Sequence, residues 1–128
     1  MTSQTLFARP STIMKTELEE RTNRFSVMLV QAITKFPRGV VGEILAKQLL
    51  KAGTSIGANY REANRAESSR DFIHKTGLAE KEAAETEYWL ELCFEAGMGP
   101  EAQLKELHAE APELLAILVT IGKNAKCN

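Results

Sequence analysis

Two groups of polar side chains stand at helical spacing in the middle of the chain, where a packed bundle would ordinarily carry apolar bulk. Asn59, Glu62 and Arg65 recur at three-residue steps, and Glu82, Glu85 and Trp89 at steps of three and four. Residues so spaced share one face of a helix. Face to face, an amide, a guanidinium and several carboxylates can form an interhelical network of hydrogen bonds and ion pairs. Leaving such a group buried and unpaired costs about 1–3 kcal/mol, so a network of this kind selects register and assembly geometry. Paired carboxylates also suit general acid and base work. No nucleophile, phosphate loop or other binding motif accompanies them, so no catalytic residue is assigned.

Asp71 and His74 lie three apart, a spacing that suits two ligands of one metal ion on a helix. A di-iron bundle repeats Glu-x-x-His on two helices and adds a glutamate from each of two others. The chain has no second copy of the motif, and His108 follows Glu106 by two residues, which points them apart. No metal ligand and no cofactor are assigned. Cys93 falls on a helical face with Phe72 and Thr86 and reads as a buried, inert thiol, while Cys127 lies in the tail. Two such cysteines make no disulfide framework and fit a reducing, cytoplasmic compartment.

Arg61, Arg65, Arg70 and Lys75 place positive charge around the middle of the chain, with Tyr60 and Phe72 nearby. A few such contacts suffice for weak, salt-dependent binding of RNA or DNA phosphates. Glu62, Glu67 and Asp71 are interleaved with them, so paired surface ions explain the pattern equally well.

Four amphipathic helices must position these residues. The first starts near Lys15 or Thr16 and carries Leu18, Thr22, Phe25, Leu29, Ala32 and Phe36 on one stripe, before Pro37 and Gly39 turn the chain. The second, from about Val40 to Arg65, buries Leu45, Leu49, Ala52, Ile56, Tyr60 or Asn59, and Ala63. Gly53 and Gly57 lower its helix propensity and leave a bare face that another helix can approach closely.

Ser68 and Asp71 form a capping box for the third helix. It continues to about Ala96 with Phe72, Thr76, Ala79, Ala83, Thr86, Leu90 and Cys93 inward, and Leu78, Glu82, Glu85, Trp89 and Leu92 on a second face. After the Gly97-Met98-Gly99-Pro100 break the fourth helix packs through Leu104, Leu107, Ala111, Leu114 or Leu115, Leu118 and Ile121. Pro112 predicts a kink in it or two abutting helices. In an antiparallel hairpin turning near residue 67, Glu62 or Arg65 can meet residues 71–82, and Asn59 can meet residues 75–86.

The expected fold is all-α, an antiparallel up-down four-helix bundle with long helices. Residues 1–15 read as an N-terminal arm, 16–124 as the bundle and 125–128 as a flexible tail. A chain of 128 residues, 44% hydrophobic and 26% charged, suits one such domain. Its net charge of -1 gives no general reason to bind nucleic acid or acidic lipid. That balance is uneven, with net +4 over residues 1–60 and net -3 over 61–91. No run of apolar residues is long enough to cross a membrane, so no membrane role is expected. A helix of 26 residues spans roughly 39 Å, giving a rod with much side surface for self-association or another protein.

Gln48-Leu49, Ser55-Ile56, Ala58-Asn59, Glu62-Ala63, Asp71-Phe72, Ala79, Glu82 and Glu85-Thr86, followed by Tyr88-Trp89-Leu90, occur in the order of a known pattern. Over about Phe25 to Leu118 the chain resembles the four-helix-bundle family of the 23S ribosomal RNA intervening-sequence protein, the so-called ribosomal protein S23 family. The resemblance implies a bundle assembled as a cyclic pentamer around a channel. It also implies a fold shared with the accessory protein of diversity-generating retroelements, whose positive surface is associated with nucleic acid and the reverse transcriptase. Asn59, Glu62, Arg65, Asp71, Glu82, Glu85 and Trp89 would then belong to a shared signature at or beside subunit contacts. The charge of -1 departs from the accessory pattern. The expected function is a non-enzymatic homo-oligomeric scaffold or binding protein, with a nucleic-acid-binding accessory protein as its rival and a metal- or carboxylate-dependent enzyme a distant third.

Overall fold

The computed structural model describes residues 12–127, and the side chains from Lys15 onward. Four helices follow in order: α1 (Thr12–Ile33), α2 (Val40–Asn64), α3 (Ser69–Glu95) and α4 (Glu101–Lys126). No strand occurs among the described residues. Short turns join neighbours, so each helix runs antiparallel to the next and the four form an up-down bundle. The sequence places an arm over 1–15, yet α1 begins at Thr12, and residues 1–11 lie outside the described residues. At the other end α4 continues to Lys126, because Ala125 is 5% exposed and still has core to cover.

The core follows the helical stripes. Leu18, Thr22, Phe25, Leu29 and Ala32 are buried on α1, with Phe36 half-buried just beyond it. Thr22 satisfies its hydroxyl by donating to the Leu18 carbonyl at 2.9 Å, which lets a polar residue sit in the stripe. On α2, Leu49, Ala52, Ile56, Tyr60 and Ala63 are buried, as are Gly53 and Gly57. A Cβ on Gly53 would run into Leu29 Cδ2, and one on Gly57 would lie 3.0 Å from Thr22 Oγ1, so α1 rides directly on the bare strip of α2. The glycines therefore exchange helix propensity for close packing.

Local signals set the helix ends. Ser68 Oγ accepts the Asp71 N–H at 3.0 Å and starts α3. Gly97 has φ 67°, and the Gly97 N–H to Phe94 and Met98 N–H to Cys93 hydrogen bonds close α3 in a Schellman motif. Pro112 lies inside α4, which is one continuous helix and not two abutting ones. Leu104, Leu107 and Ala111 before it and Leu114, Leu118 and Ile121 after it are all buried, and that packing outweighs the lost hydrogen bond to His108.

Candidate functional site

An ion pair at the surface marks the antiparallel register that the buried stripes of α2 and α3 impose. Lys75 Nζ donates to Glu62 Oε1 at 3.2 Å, within the range the hairpin geometry allows. Moving one residue down α2 for each residue up α3, Ser55 comes level with Glu82 and Gln48 with Trp89. Lys51 of α2 acts electrostatically on Glu82 of α3, which agrees with that register.

Glu82 is half-buried on this flank, and its carboxyl titrates above the ordinary range. Burial is the largest cause, followed by the charge of Glu85 and a hydrogen bond with it; Lys81 and Lys51 partly offset these. Glu85 is exposed. Trp89 is half-buried, and its ring meets the Tyr88 ring edge-on with centroids 5.0 Å apart. Its Nε1–H is buried and meets no acceptor among the described residues.

Other residues of the group behave separately. Asn59 is half-buried and donates through Nδ2 to the Ser55 carbonyl at 2.9 Å, within its own helix. Arg65 caps the end of α2 and is exposed, while Asp71 spends its N–H on the Ser68 hydroxyl. Within one chain, therefore, Glu62 is joined to α3 and Glu82 to Glu85, while Asn59, Arg65 and Trp89 are not joined to them. Arg61, Arg65 and Arg70 are exposed around the α2–α3 turn and make no ion pair within 4.0 Å among the described residues; Lys75 is engaged by Glu62.

Among the described residues no three His, Cys, Asp or Glu side chains gather around one point where an ion could bind. His74 is exposed and Asp71 half-buried. Cys93 is fully buried, and burial pushes its thiol pKa up, which suppresses the reactive thiolate. Cys127 is exposed.

Two features escape a reading of helical stripes. The first is a two-pronged contact across α1 and α4: Arg21 Nε donates to Glu110 Oε2 at 2.6 Å and Nη2 to Glu110 Oε1 at 2.8 Å. It borders an open cleft of about 340 Å³ floored by Phe25 and Met28, with Arg24 and Glu106 at its rim. Arg21 and Glu110 each immediately precede a buried stripe position, Thr22 and Ala111, and that flank position is the available sequence signal. The second is a set of seven exposed large apolar side chains among the described residues. Val27 and Val30 lie late in α1, Val40, Val41 and Ile44 early in α2, and Tyr88 and Phe94 late in α3. All seven fall in the half of the bundle nearest the α1–α2 and α3–α4 turns. Their signal was apolar residues off the main stripe.

The 23S rRNA-intervening sequence protein family model matches residues 14–120. No curated protein matches the chain. A crystal structure of a protein of unknown function from the S23 ribosomal protein family of Bacteroides thetaiotaomicron superposes with a TM-score of 0.74 at 36% identity, covering 85% of this chain and 97% of the other. Fold, matched length and identity agree, and the chain belongs to the 23S rRNA-intervening sequence protein family.

Proposed function

We propose that this protein is a non-enzymatic, cytoplasmic helical scaffold or binding protein that works as a homo-oligomer. The observation that carries the reading is the clustering, in one half of the bundle, of the seven exposed large apolar side chains among the described residues. Scattered surface apolar residues are ordinary, but a concentration at one end of an elongated molecule suits a surface covered by protein. Glu82, Glu85 and Trp89 fit the polar margin of such a surface, where a half-buried carboxyl and an indole N–H without an acceptor among the described residues gain from a partner. The resemblance described above supplies pentamer as the expected number. Size-exclusion chromatography with light scattering on untagged protein tests the reading. A mass several times 14.2 kDa is expected, and a monomer at every concentration tested refutes it.

A second reading has its own observation. Arg61, Arg65 and Arg70 project from the turn end of the bundle without ion-pair partners among the described residues, an arrangement suited to phosphate contacts of an RNA or DNA. Titration of labelled RNA and DNA at rising salt tests it. Binding that weakens steeply with salt, and further on Arg65→Gln or Arg70→Gln, supports an accessory role; no binding at low salt removes it.

A further inference from the structure

The seam between α1 and α4 lies opposite the α2–α3 hairpin, and these two helices touch more sparsely than any other neighbouring pair. The cleft of about 340 Å³ opens there, with Phe25 and Met28 at its floor, Ala109 on its α4 wall and the Arg21–Glu110 contact beside it. Met28 is half-buried and Ala109 exposed, so apolar surface is left to cover. Nearer the Ser68 end of the bundle, Glu113 touches Arg21 only at 4.0 Å, and its side chain is 68% exposed. The seam thus offers an apolar trough followed, toward the start of α1, by a weakly engaged carboxylate.

We infer that the segment preceding α1 in this same chain folds back along the seam, with Leu6 and Phe7 in the cleft and Arg9 against Glu113. That segment lies outside the described residues, and its sequence supplies an apolar pair and a cation in the order the seam requires. Reach sets the level of each group. Arg21 and Phe25 stand nine and thirteen residues beyond Thr12, roughly 13 and 20 Å along the helix. Phe7 and Leu6 stand five and six residues before Thr12, and an extended chain carries them at most roughly 17 and 20 Å back. Arg9, three residues before Thr12, reaches roughly 10 Å, the level of Leu18, which the Arg21–Glu110 contact places opposite Glu113. Pro10 opposes a straight helical continuation of α1, which would carry Leu6 and Phe7 away from the bundle. A peptide tethered at Thr12 also has a high effective concentration at the cleft, which a separate molecule of the same composition lacks. The docking does not depend on whether the chain assembles.

Thiol protection and cross-linking in the full chain test the docking without touching the core. Cys127→Ser removes the exposed thiol, and Cys93 is buried, so an introduced cysteine reports alone. Ala109→Cys, on the cleft wall, should react with a thiol reagent at least about threefold faster when Leu6→Ser and Phe7→Ser accompany it than when they do not. Lys81→Cys, exposed on α3 across the bundle, should react equally fast in both backgrounds. With copper phenanthroline as oxidant, Phe7→Cys and Ala109→Cys should form a disulfide within one chain, at least about tenfold faster than Phe7→Cys and Lys81→Cys. Helical circular dichroism is checked for every variant. Equal reaction of Ala109→Cys with and without Leu6 and Phe7 overturns the proposal. A disulfide that joins two chains overturns it too, because the cleft would then hold the segment of a neighbour.

Discussion

Two glycines in this bundle receive the same substitution in opposite circumstances. Gly53 and Gly77 each occupy a helix interior, so alanine brings the same intrinsic gain at both, about 0.5–1 kcal/mol. At Gly77 a Cβ meets nothing within 4 Å among the described residues, and the gain is kept. At Gly53 the Cβ runs into Leu29 Cδ2 and lies 3.7 Å from Phe25 Cε2, and both of those side chains are essentially fully buried. Moving Leu29 out of the way disturbs a closed core, which costs about 1–3 kcal/mol. Gly77→Ala is therefore expected to stabilise by about 0.5–1 kcal/mol, and Gly53→Ala to destabilise by about 1–2 kcal/mol after its propensity gain. Urea denaturation followed by far-ultraviolet circular dichroism, at one low protein concentration, measures both. The difference between the variants isolates the approach of α1 to α2, since propensity cancels. Equal shifts, or a Gly53→Ala protein as stable as the parent, would show that α1 does not ride on that strip.

Three further expectations rest on single groups. Glu82 titrates above its ordinary range, so it contributes stability that is full below its unfolded pKa and is lost as pH rises through the higher folded value. Glu82→Gln should flatten that part of the pH–stability profile and gain no more than about 0.5 kcal/mol near neutrality, because much of the group is solvated; an unaltered slope contradicts the burial argument. Arg21→Ala and Glu110→Ala should couple by about 0.5–1 kcal/mol in a double-mutant cycle, given two hydrogen bonds at 2.6 and 2.8 Å on partly exposed side chains. Additive single effects would deny the pair any energetic role. A thiol reagent should modify Cys127 in the native protein and reach Cys93 only in denaturant, and comparable rates at both would mean that α3 does not seal Cys93.

Most of the architecture is legible in residue spacing. Phe72, Thr76, Ala79, Ala83, Thr86, Leu90 and Cys93, selected by helical steps alone, are the buried residues of α3, although three of them are polar or sulfur-bearing. Periodicity succeeds there because burial depends on position around the helix more than on the hydrophobicity of each residue. The close approach at Gly53 and Gly57 is legible for the same reason. Of the two outcomes Pro112 predicts, two abutting helices do not form, because propensity counts one lost hydrogen bond and cannot see the buried leucines on either side that hold α4 together. Polar partners are harder to read. Asn59 could turn toward α3 or back to its own helix, and the Ser55 carbonyl receives its amide, a choice made by side-chain torsions that leave no sequence pattern. The Arg21–Glu110 contact joins residues 89 positions apart, so it depends on how two non-adjacent helices settle in height.

The up-down course of the chain has a practical result for anyone attaching it to a surface. Cys127 follows α4 at the end of the rod shared with the Ser68 cap, far from the bends at Pro37 and Gly99. A maleimide-coated bead or electrode would thus grip every molecule by the same tip, leaving the valine-rich tip facing the liquid. Cys93, shut inside, offers no competing anchor, and the native thiols provide orientation without added mutations.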